Sequence, residues 1–340
     1  MVNVCLLGTG YIARIHAMAY VKNKNANICA VCDMYEEQVE SFAKEFGIKN
    51  TYTSFAEMLE NEKTANALDI CIAPCDHAPR AIQALNHGLH VLCEKPVALN
   101  AEETAEMVRI AKENNKLLMV AFVTRFSPQV IAAKEMIDDG FLGKVYYTRV
   151  QRIARDAKPP RPWSCTKSIS GGGPVMDLGI HGIDCVRYLM GNPKPLSVYA
   201  IGYSEKCSDP ENYCDVEDFA SALIKYDNGA ATLVETSYQL NSENRNYYDL
   251  FGTDGGITIQ TMEKDAVTLH SKQGKRLINS VIDESSYRKY KPLFEAEIDH
   301  FVECIEENKP CISSGDDGLD IMKIIDAIYK SIETGTEIKL

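Results

Sequence analysis

Short apolar runs alternate with amphipathic stretches along the first third of the chain. Runs rich in apolar and β-branched residues predict strands at Val2–Leu7, Ile28–Cys32, Thr51–Thr53, Leu68–Ile72, Val91–Cys93 and Leu117–Ala121. Between them, apolar positions recur at helical spacing near Tyr11–Lys22, Tyr35–Phe46, Phe55–Asn61, Ala78–Asn86 and Ala101–Asn114. This alternation indicates βαβ units, and it predicts a doubly wound parallel sheet over residues 1–121.

The pattern changes after about Ala121. Helices are predicted near Pro128–Asp139, Val175–Met190, Leu293–Glu306 and Asp316–Thr334. Strands are predicted at Lys144–Arg152, Ser197–Tyr203, Phe219–Tyr226, Ala230–Gln239, Asn246–Gly252, Gly256–Thr261 and Ala266–His270. The turn sequences Asp-Asn-Gly at 227–229 and Asp-Gly-Gly at 254–256 favour antiparallel pairing. Residues 122–340 are therefore predicted to form an α+β domain with a large, mostly antiparallel sheet.

The first strand leads into a glycine-rich turn. The segment Gly8–Ala13 reads GTGYIA and matches G-x-G-x-x-[GA] between a predicted strand and a predicted helix. Gly8 permits the tight turn, Gly10 lets the backbone approach a pyrophosphate, and Ala13 is small enough for close helix–strand packing. Asp33 ends the second strand about 20 residues further on, where such folds bind a ribose. Together these features predict an N-terminal Rossmann domain that binds a dinucleotide.

The residues after Asp33 indicate which dinucleotide is bound. The Asp33 carboxylate can accept hydrogen bonds from the adenosine ribose hydroxyls, and the chain continues Met-Tyr-Glu-Glu over 34–37. Three carboxylates in this region would repel a 2′-phosphate. The sequence therefore predicts NAD rather than NADP as the cofactor.

Two further segments carry groups suited to proton transfer. Glu94-Lys95-Pro96 follows the fourth main strand, at the sheet edge where doubly wound folds bind ligands. Asp177 and His181 are four positions apart on a predicted helix, so both side chains share one face. The aspartate would favour the imidazolium form of a general base. Gly171–Gly173, ahead of this helix, would let the backbone crowd a ligand. A solvated loop lysine and a purely structural helix pair remain the alternative interpretations.

Composition sets limits on the class of protein. The 340 residues favour two domains, and the net charge of −12 argues against nucleic-acid binding. No apolar run approaches a membrane span, and we expect no secretory signal. The 12 cysteines are expected to be free thiols in a reducing cytoplasm. Neither Cys29 with Cys32 nor Cys71, Cys75 and His77 is favoured as a metal or redox site, so no metal is predicted.

These segments together resemble the Gfo/Idh/MocA oxidoreductase family, which includes glucose–fructose oxidoreductase and inositol dehydrogenases. The resemblance is nearly end to end, and the combination of Glu-Lys-Pro with Asp-x-Gly-x-His is its most specific part. The matching segments are Gly8–Ala13, Asp33, Ala73-Pro74 with His77, Gly88–Ala98, Arg125–Pro128, Gly140–Val145, Gly171–Asp184 and Val216–Ala230. The resemblance implies a Rossmann domain followed by an open sheet that makes dimers or tetramers.

The resemblance also implies roles for individual residues. The implied catalytic group is Lys95, Asp177 and His181. The implied cofactor-binding residues are Gly8, Gly10, Tyr11, Ile12, Asp33, Ala73, Pro74, His77, Glu94 and Lys95. The expected substrate-binding residues are Thr124, Arg152, Trp163, Asp184 and Tyr238.

Some positions depart from the family pattern. Val123-Thr124 stands where an Asn or Arg often precedes the Arg-Phe pair, and Cys75 replaces a usual Asn or Thr. The stretch Arg152–Trp163 resembles the branch of sugar and glycoside 3-dehydrogenases. We therefore expect an NAD-dependent dehydrogenase of a sugar, glycoside or cyclitol, assembled as a homodimer or homotetramer. The alternatives are transient oxidation by tightly held NAD, leading to glycosidic cleavage or epimerisation, and a non-catalytic dinucleotide-binding regulator.

Overall fold

The computed structural model describes residues 1–155, 162–204, 214–260, 267–287 and 289–340. The strands are β1 Val2–Leu7, β2 Ala26–Cys32, β3 Asn50–Tyr52, β4 Ala67–Ile70, β5 His90–Cys93, β6 Leu118–Val120, β7 Val145–Ile153, β8 Pro195–Tyr203, β9 Phe219–Tyr226, β10 Ala231–Ser237, β11 Arg245–Gly252, β12 Gly255–Gln260, β13 Val267–Gln273, β14 Arg276–Val281 and β15 Ile338–Lys339. The α-helices are α1 Tyr11–Lys22, α2 Glu36–Phe46, α3 Phe55–Asn61, α4 His77–Asn86, α5 Ala101–Glu113, α6 Pro128–Asp138, α7 Lys167–Ser170, α8 Ile180–Leu189, α9 Leu293–Glu307 and α10 Gly315–Thr334.

The first sheet has six parallel strands in the order β3-β2-β1-β4-β5-β6. Its central strands are buried on both faces, which is why β1, β4 and β5 are short, nearly continuous apolar runs. The order reverses direction at β1, and the carboxyl ends of β1 and β4 flank this point. Ligands bind at such switch points in doubly wound sheets. The predicted Rossmann sheet is confirmed.

The second sheet has nine strands in the order β14-β13-β12-β11-β7-β10-β9-β8-β15. Within the described part of this second sheet, only the pair β7 and β10 is parallel. The predicted glycine turns at 227–229 and 254–256 connect β9 to β10 and β11 to β12. The mostly antiparallel sheet is therefore confirmed. The pattern missed β14, whose residues are nearly all exposed and show no regular alternation, and the two-residue β15.

The chain folds into two compact units that differ from a simple division at residue 121. The first comprises Met1–Val123 and Pro292–Leu319, and the second comprises Thr124–Lys291 and Asp320–Leu340. In the first unit, α9 packs against α1, and Ser313 extends the sheet by accepting the Val120 N–H at 2.9 Å. These contacts are long-range, so the amphipathic pattern of α9 could not show which core it joins. In the part of the chain described, no helix is long and apolar enough to cross a bilayer.

Candidate functional site

The glycine-rich turn has the geometry that a pyrophosphate requires. Gly8 has φ +108°, and a Cβ there would lie 2.4 Å from the Cys71 carbonyl oxygen, so only glycine fits. Gly10 starts α1 and has open space around its Cα. No described side chain caps the first turn of α1, so its N–H groups are available to an anion. Tyr11 is exposed, Ile12 is half-buried, and Ala13 is fully buried against the sheet. These residues fit a dinucleotide.

Asp33 is hydrogen-bonded directly to this glycine-rich turn. Thr9 donates its backbone N–H and its hydroxyl to Asp33 Oδ2, at 2.9 and 2.8 Å. Asp33 Oδ1 accepts a longer bond of 3.4 Å from the Tyr35 N–H. Glu36 and Glu37 lie in the first turn of α2, directly after this position. The carboxylate therefore both orders the glycine turn and makes its surroundings negative.

The Lys95 loop is held by buried polar groups at the carboxyl end of β5. Glu94 Oε2 accepts the Lys95 N–H at 2.9 Å, and the Lys95–Pro96 peptide bond is cis. The His77 ring lies 2.8 Å from the Pro96 carbonyl oxygen and 3.1 Å from that of Ile72. Burial lowers the pKa of His77 despite these carbonyls. Lys95 is half-buried, whereas His77 is almost fully buried and contacts backbone. Its imidazole thus supports the loop from within. Pro74 is buried, and the neighbouring Ala73 is half-buried.

Beneath Glu94 lies a buried charged cluster that sequence reasoning missed. The His16 ring on α1 lies 2.9 Å from Asp69 Oδ2, 3.4 Å from Glu94 Oε1 and 3.9 Å from Glu297 Oε2. Burial alone would lower the pKa of His16, but Asp69 and its neighbours raise it well above the usual value. Burial alone would raise the pKa of Glu94, but the nearby His16 lowers it below the usual value. For Glu297, burial prevails and the pKa is raised well above the usual value. The His16 imidazolium lies between the carboxylates of Asp69 and Glu94. It therefore anchors Glu94, which in turn accepts the Lys95 N–H.

The predicted catalytic helix begins with a π-helical turn. Asp177 lies in this turn, Val175–Gly179, and His181 lies in α8, which continues from it. Both side chains are half-buried. The Tyr238 hydroxyl donates to Asp177 Oδ2 at 3.0 Å and fixes that carboxylate. Such π-helical turns occur frequently at functional sites.

The glycines before this helix serve the fold. A Cβ at Gly172 would lie 1.8 Å from the Tyr329 hydroxyl, and one at Gly173 would lie 2.4 Å from the Glu217 carbonyl. The Glu217 carboxylate accepts the Gly173 and Val175 N–H groups at 3.0 and 2.9 Å, which caps the start of the helix. For Gly172 and Gly173, the expectation that the glycine admits a ligand is corrected, because Tyr329 and Glu217 of this chain fill the space.

Two predicted substrate residues are buried inside the second unit. Asp184 is fully buried and accepts from the equally buried Arg125 guanidinium, at 3.1 and 3.0 Å from Nε. Tyr238 is also buried and uses its hydroxyl on Asp177. The Asp184 carboxylate accepts from Arg125, and the Tyr238 hydroxyl supports Asp177. Substrate binding by these two residues stays a prediction. The Arg-Phe pair at 125–126 was visible in the sequence, but its partner was not.

The other predicted substrate residues are half-buried. Arg152 on β7 donates to Asn246 Oδ1 at 2.7 Å and to the Tyr248 hydroxyl at 2.9 Å. Thr124 lies in the 3-10 turn Val123–Phe126, and Trp163 lies in the 3-10 turn Pro162–Cys165. Residues 156–161 of the arginine-rich stretch are outside the described ranges, as are the predicted strand ends Thr261 and Ala266.

Comparisons with known proteins agree with this architecture. Two models of one oxidoreductase family match the chain. The model of its NAD-binding Rossmann fold matches residues 2–122, and the model of its C-terminal alpha/beta domain matches residues 134–340. The chain therefore belongs to the Gfo/Idh/MocA oxidoreductase family, as its motifs predicted.

Individual relatives match along almost the whole chain. The chain is 30% identical over 343 residues to scyllo-inositol 2-dehydrogenase (NAD(+)) of Bacillus subtilis, covering 100% of this chain and 96% of that protein. It is 29% identical over 351 residues to D-glucoside 3-dehydrogenase of Escherichia coli, covering 99% and 97%. Among solved structures, levoglucosan dehydrogenase in complex with NADH superposes with a TM-score of 0.90 at 26% identity, covering 99% and 98%.

Proposed function

We propose that this protein is an NAD-dependent dehydrogenase that oxidises a secondary hydroxyl of a sugar, glycoside or cyclitol. The observation that carries the proposal is Lys95, held by a buried, ionised Glu94 at the ligand-binding edge of an NAD-binding sheet. Relatives over the full chain length are named as inositol and glucoside dehydrogenases, which supports this substrate class. NAD supplies the hydride-accepting nicotinamide when bound.

The proposed roles divide proton transfer among three residues. His181 is the general base that accepts the hydroxyl proton as the carbinol hydride leaves. Lys95 hydrogen-bonds and polarises that hydroxyl, and Asp177 stabilises the imidazolium that forms. The Tyr238 hydroxyl keeps Asp177 oriented, since it donates to one carboxylate oxygen. Gly8, Gly10, Tyr11 and Ile12 serve the pyrophosphate, and Asp33 serves the adenosine ribose.

A substrate panel tests the reaction class. Purified protein is incubated with NAD and with inositols, sugars and glycosides, and NADH absorbance is followed. Stoichiometric NADH formation on one member supports the dehydrogenase. Substrate conversion without NADH accumulation would instead indicate transient oxidation with cleavage or epimerisation. Tight NAD binding with no conversion of any panel member would favour a regulator.

Variants of the proposed catalytic residues test their roles. His181→Ala and Lys95→Ala should each lower kcat by about 10²- to 10⁴-fold, because general acid–base groups contribute that much. Asp177→Asn should also lower kcat, whereas His87→Ala, at an exposed histidine, should leave it unchanged. NAD affinity should survive in His181→Ala. Near-normal turnover in His181→Ala with an inactive Lys95→Ala would make Lys95 the base.

We also propose a homodimer or homotetramer assembled through the second sheet. On β8, Tyr199, Ile201 and Tyr203 alternate on one face and are each about half exposed. Leu223 lies opposite Tyr199 on β9 and is exposed as well. An apolar face of this extent is typically covered by a symmetry mate. A reducing cytoplasm is the proposed compartment, since all described cysteines are free thiols.

A further inference from the structure

A histidine and two cysteines converge in the first unit, away from the nucleotide motifs. His300 and Cys304 are one turn apart on α9, and Cys311 lies in the segment that follows this helix. One ligand-type atom from each residue lies within 4.8 Å of the other two. The Cys304 Sγ and His300 Nε2 atoms are 3.3 Å apart. His300 and Cys311 are half-buried, so the group is reachable from solvent.

The backbone holds two of these groups in the form that binds metal. The Ile312 N–H donates to His300 Nε2 at 3.0 Å, so this nitrogen presents its lone pair toward the group. The Ser313 N–H donates to Cys311 Sγ at 3.4 Å, which stabilises electron density on that sulfur.

The surrounding charges favour a cation. The carboxylates of Glu303 and Asp317 place negative charge near the sulfurs of Cys304 and Cys311. The nearby Lys309 ammonium is engaged by Glu303 at 3.1 Å and by Glu307 at 2.9 Å. A cation bound by the sulfurs would offset the negative charge that collects here.

We propose that His300, Cys304 and Cys311 form a binding site for a soft divalent cation, with Zn²⁺ as the expected ion and water as its fourth ligand. Zn–S and Zn–N bonds of about 2.3 and 2.0 Å in a tetrahedron separate sulfur from nitrogen by roughly 3.6 Å. The 3.3 Å observed between Cys304 and His300 is close to this value. Ligands at i and i+4 on one helix are an established zinc-binding spacing.

Metal binding at this site replaces the contacts that His300 Nε2 now makes. The lone pair of this nitrogen passes from the Ile312 N–H and the Cys304 thiol to the ion. Ile312 is 36% exposed, so water can approach this part of the chain and bind its N–H instead. Three bonds to the ion outweigh the exchange of these hydrogen bonds.

Two other clusters that contain cysteines are poorer candidates for a metal site, and one of them supplies a control variant. His16, Asp69 and Cys71 also lie close together, but all three are fully enclosed and His16 is already ion-paired. Cys5 and Cys29 approach to 3.6 Å between their sulfurs, and Cys29 is half-buried like Cys311. Cys29→Ser is therefore the matched control for Cys311→Ser.

The proposed ion would connect two parts of the first unit. Cys304 belongs to the last turns of α9, whereas Cys311 precedes Ser313 and Ser314, which pair with β6. Zn²⁺ would cross-link this helix end to the edge of the Rossmann sheet. It would act on stability and leave the NAD-binding residues untouched.

Metal titration of the reduced, chelator-treated full-length protein tests the site without any assay of activity. Co²⁺ reports tetrahedral sulfur coordination through its visible and charge-transfer bands, and Zn²⁺ affinity is measured by competition with a chromophoric chelator. Wild-type protein should bind one equivalent with tetrahedral Co²⁺ spectra. Cys311→Ser and Cys304→Ser should weaken Zn²⁺ binding by more than the roughly 10- to 100-fold caused by losing an outer-shell partner. Cys29→Ser should bind like wild type.

Further measurements keep each outcome interpretable. Circular dichroism and NAD binding verify that each variant is folded, and Cys311→Ser is the least disruptive because its side chain is only half-buried. Zn²⁺ should raise the Tm of the wild type and not that of Cys311→Ser. Absence of one-equivalent binding, an equal loss in Cys29→Ser, or a Cys304–Cys311 disulfide with no metal uptake after reduction would each overturn the proposal.

Discussion

Asp33 serves the glycine turn as well as the proposed ribose contact. Its Oδ2 atom accepts two hydrogen bonds from Thr9, so the carboxylate sets the shape of the phosphate-binding backbone. Removing it therefore has two effects: it relieves repulsion of a 2′-phosphate, and it loosens a turn that both NAD and NADP need. The two effects are separable, because Thr9 can be altered while the charge stays.

We expect the native protein to bind NAD more tightly than NADP. Asp33→Ala should reduce the affinity for NAD. It should also narrow the difference between the NAD and NADP affinities, since the Asp33 carboxylate then no longer repels the 2′-phosphate. Thr9→Val removes only the hydroxyl bond, so it should weaken both cofactors and preserve the preference. Calorimetric titration with each cofactor measures these affinities. Tighter binding of NADP to the native protein would contradict the prediction.

The Arg125–Asp184 pair should matter to stability more than any surface ion pair. Both side chains are fully buried, and Asp184→Asn would remove the carboxylate charge that faces the guanidinium. We expect the free energy of unfolding in urea to fall by about 3–5 kcal/mol. Glu106→Gln is the control, because Glu106 pairs with Arg109 at the surface and should cost under about 1 kcal/mol. Equal losses in the two variants would show that the buried pair is unimportant.

At the level of elements, β5 begins with a histidine that must stay neutral. The Leu117 N–H donates to His90 Nδ1 at 3.0 Å, which connects the start of β5 to the segment before β6. Burial, with a smaller effect of Lys116, lowers the pKa of His90 to about 4. The unfolded chain takes up a proton near pH 6.5, whereas the folded chain does so only near pH 4.

His90 should therefore make stability depend on pH. Its contribution is complete above about pH 6.5 and decreases as the pH falls toward 4, because the unfolded state binds the proton first. As the pH is lowered from about 6.5 to 4, the free energy of unfolding in urea should therefore decrease less steeply in His90→Gln than in the wild type. His87→Gln, which alters an exposed histidine on the same connection, should follow the wild type. A wild-type slope in His90→Gln would contradict this assignment.

The sequence predicts elements better than it predicts their partners. The bounds of α1 and β9 follow from local periodicity and agree residue by residue with the structure. The residues around Lys95 could also be named, because strand ends and glycine turns have local signatures. The roles of Glu217 and His16 could not be predicted. Glu217 acts on Gly173 and His16 acts on Glu94, and in each pair the two residues are distant in the chain. The Arg125 partner of Asp184 could not be named for the same reason, because it is 59 positions away.

For the whole molecule, the exposed face of β8 is the testable feature. Ile201→Arg places a charge among Tyr199 and Tyr203, so it should shift a dimer or tetramer toward smaller species. Light scattering at micromolar concentration measures the mass of each. Met18→Arg, at an exposed site on α1, is the control and should not change it. A monomeric wild type would refute the oligomer, and an unchanged Ile201→Arg would place the interface elsewhere.

The discontinuity of the first unit has a consequence for synthesis on the ribosome. Residues 1–123 are translated early, yet Glu297 and the α9 surface that covers α1 arrive some 170 positions later. Until then, the nascent nucleotide-binding half has an uncovered apolar flank and an incomplete charge cluster beside His16. Strands β7 to β14 are all made before this covering helix. We therefore expect the nucleotide-binding unit to complete its core only after α9 has been translated.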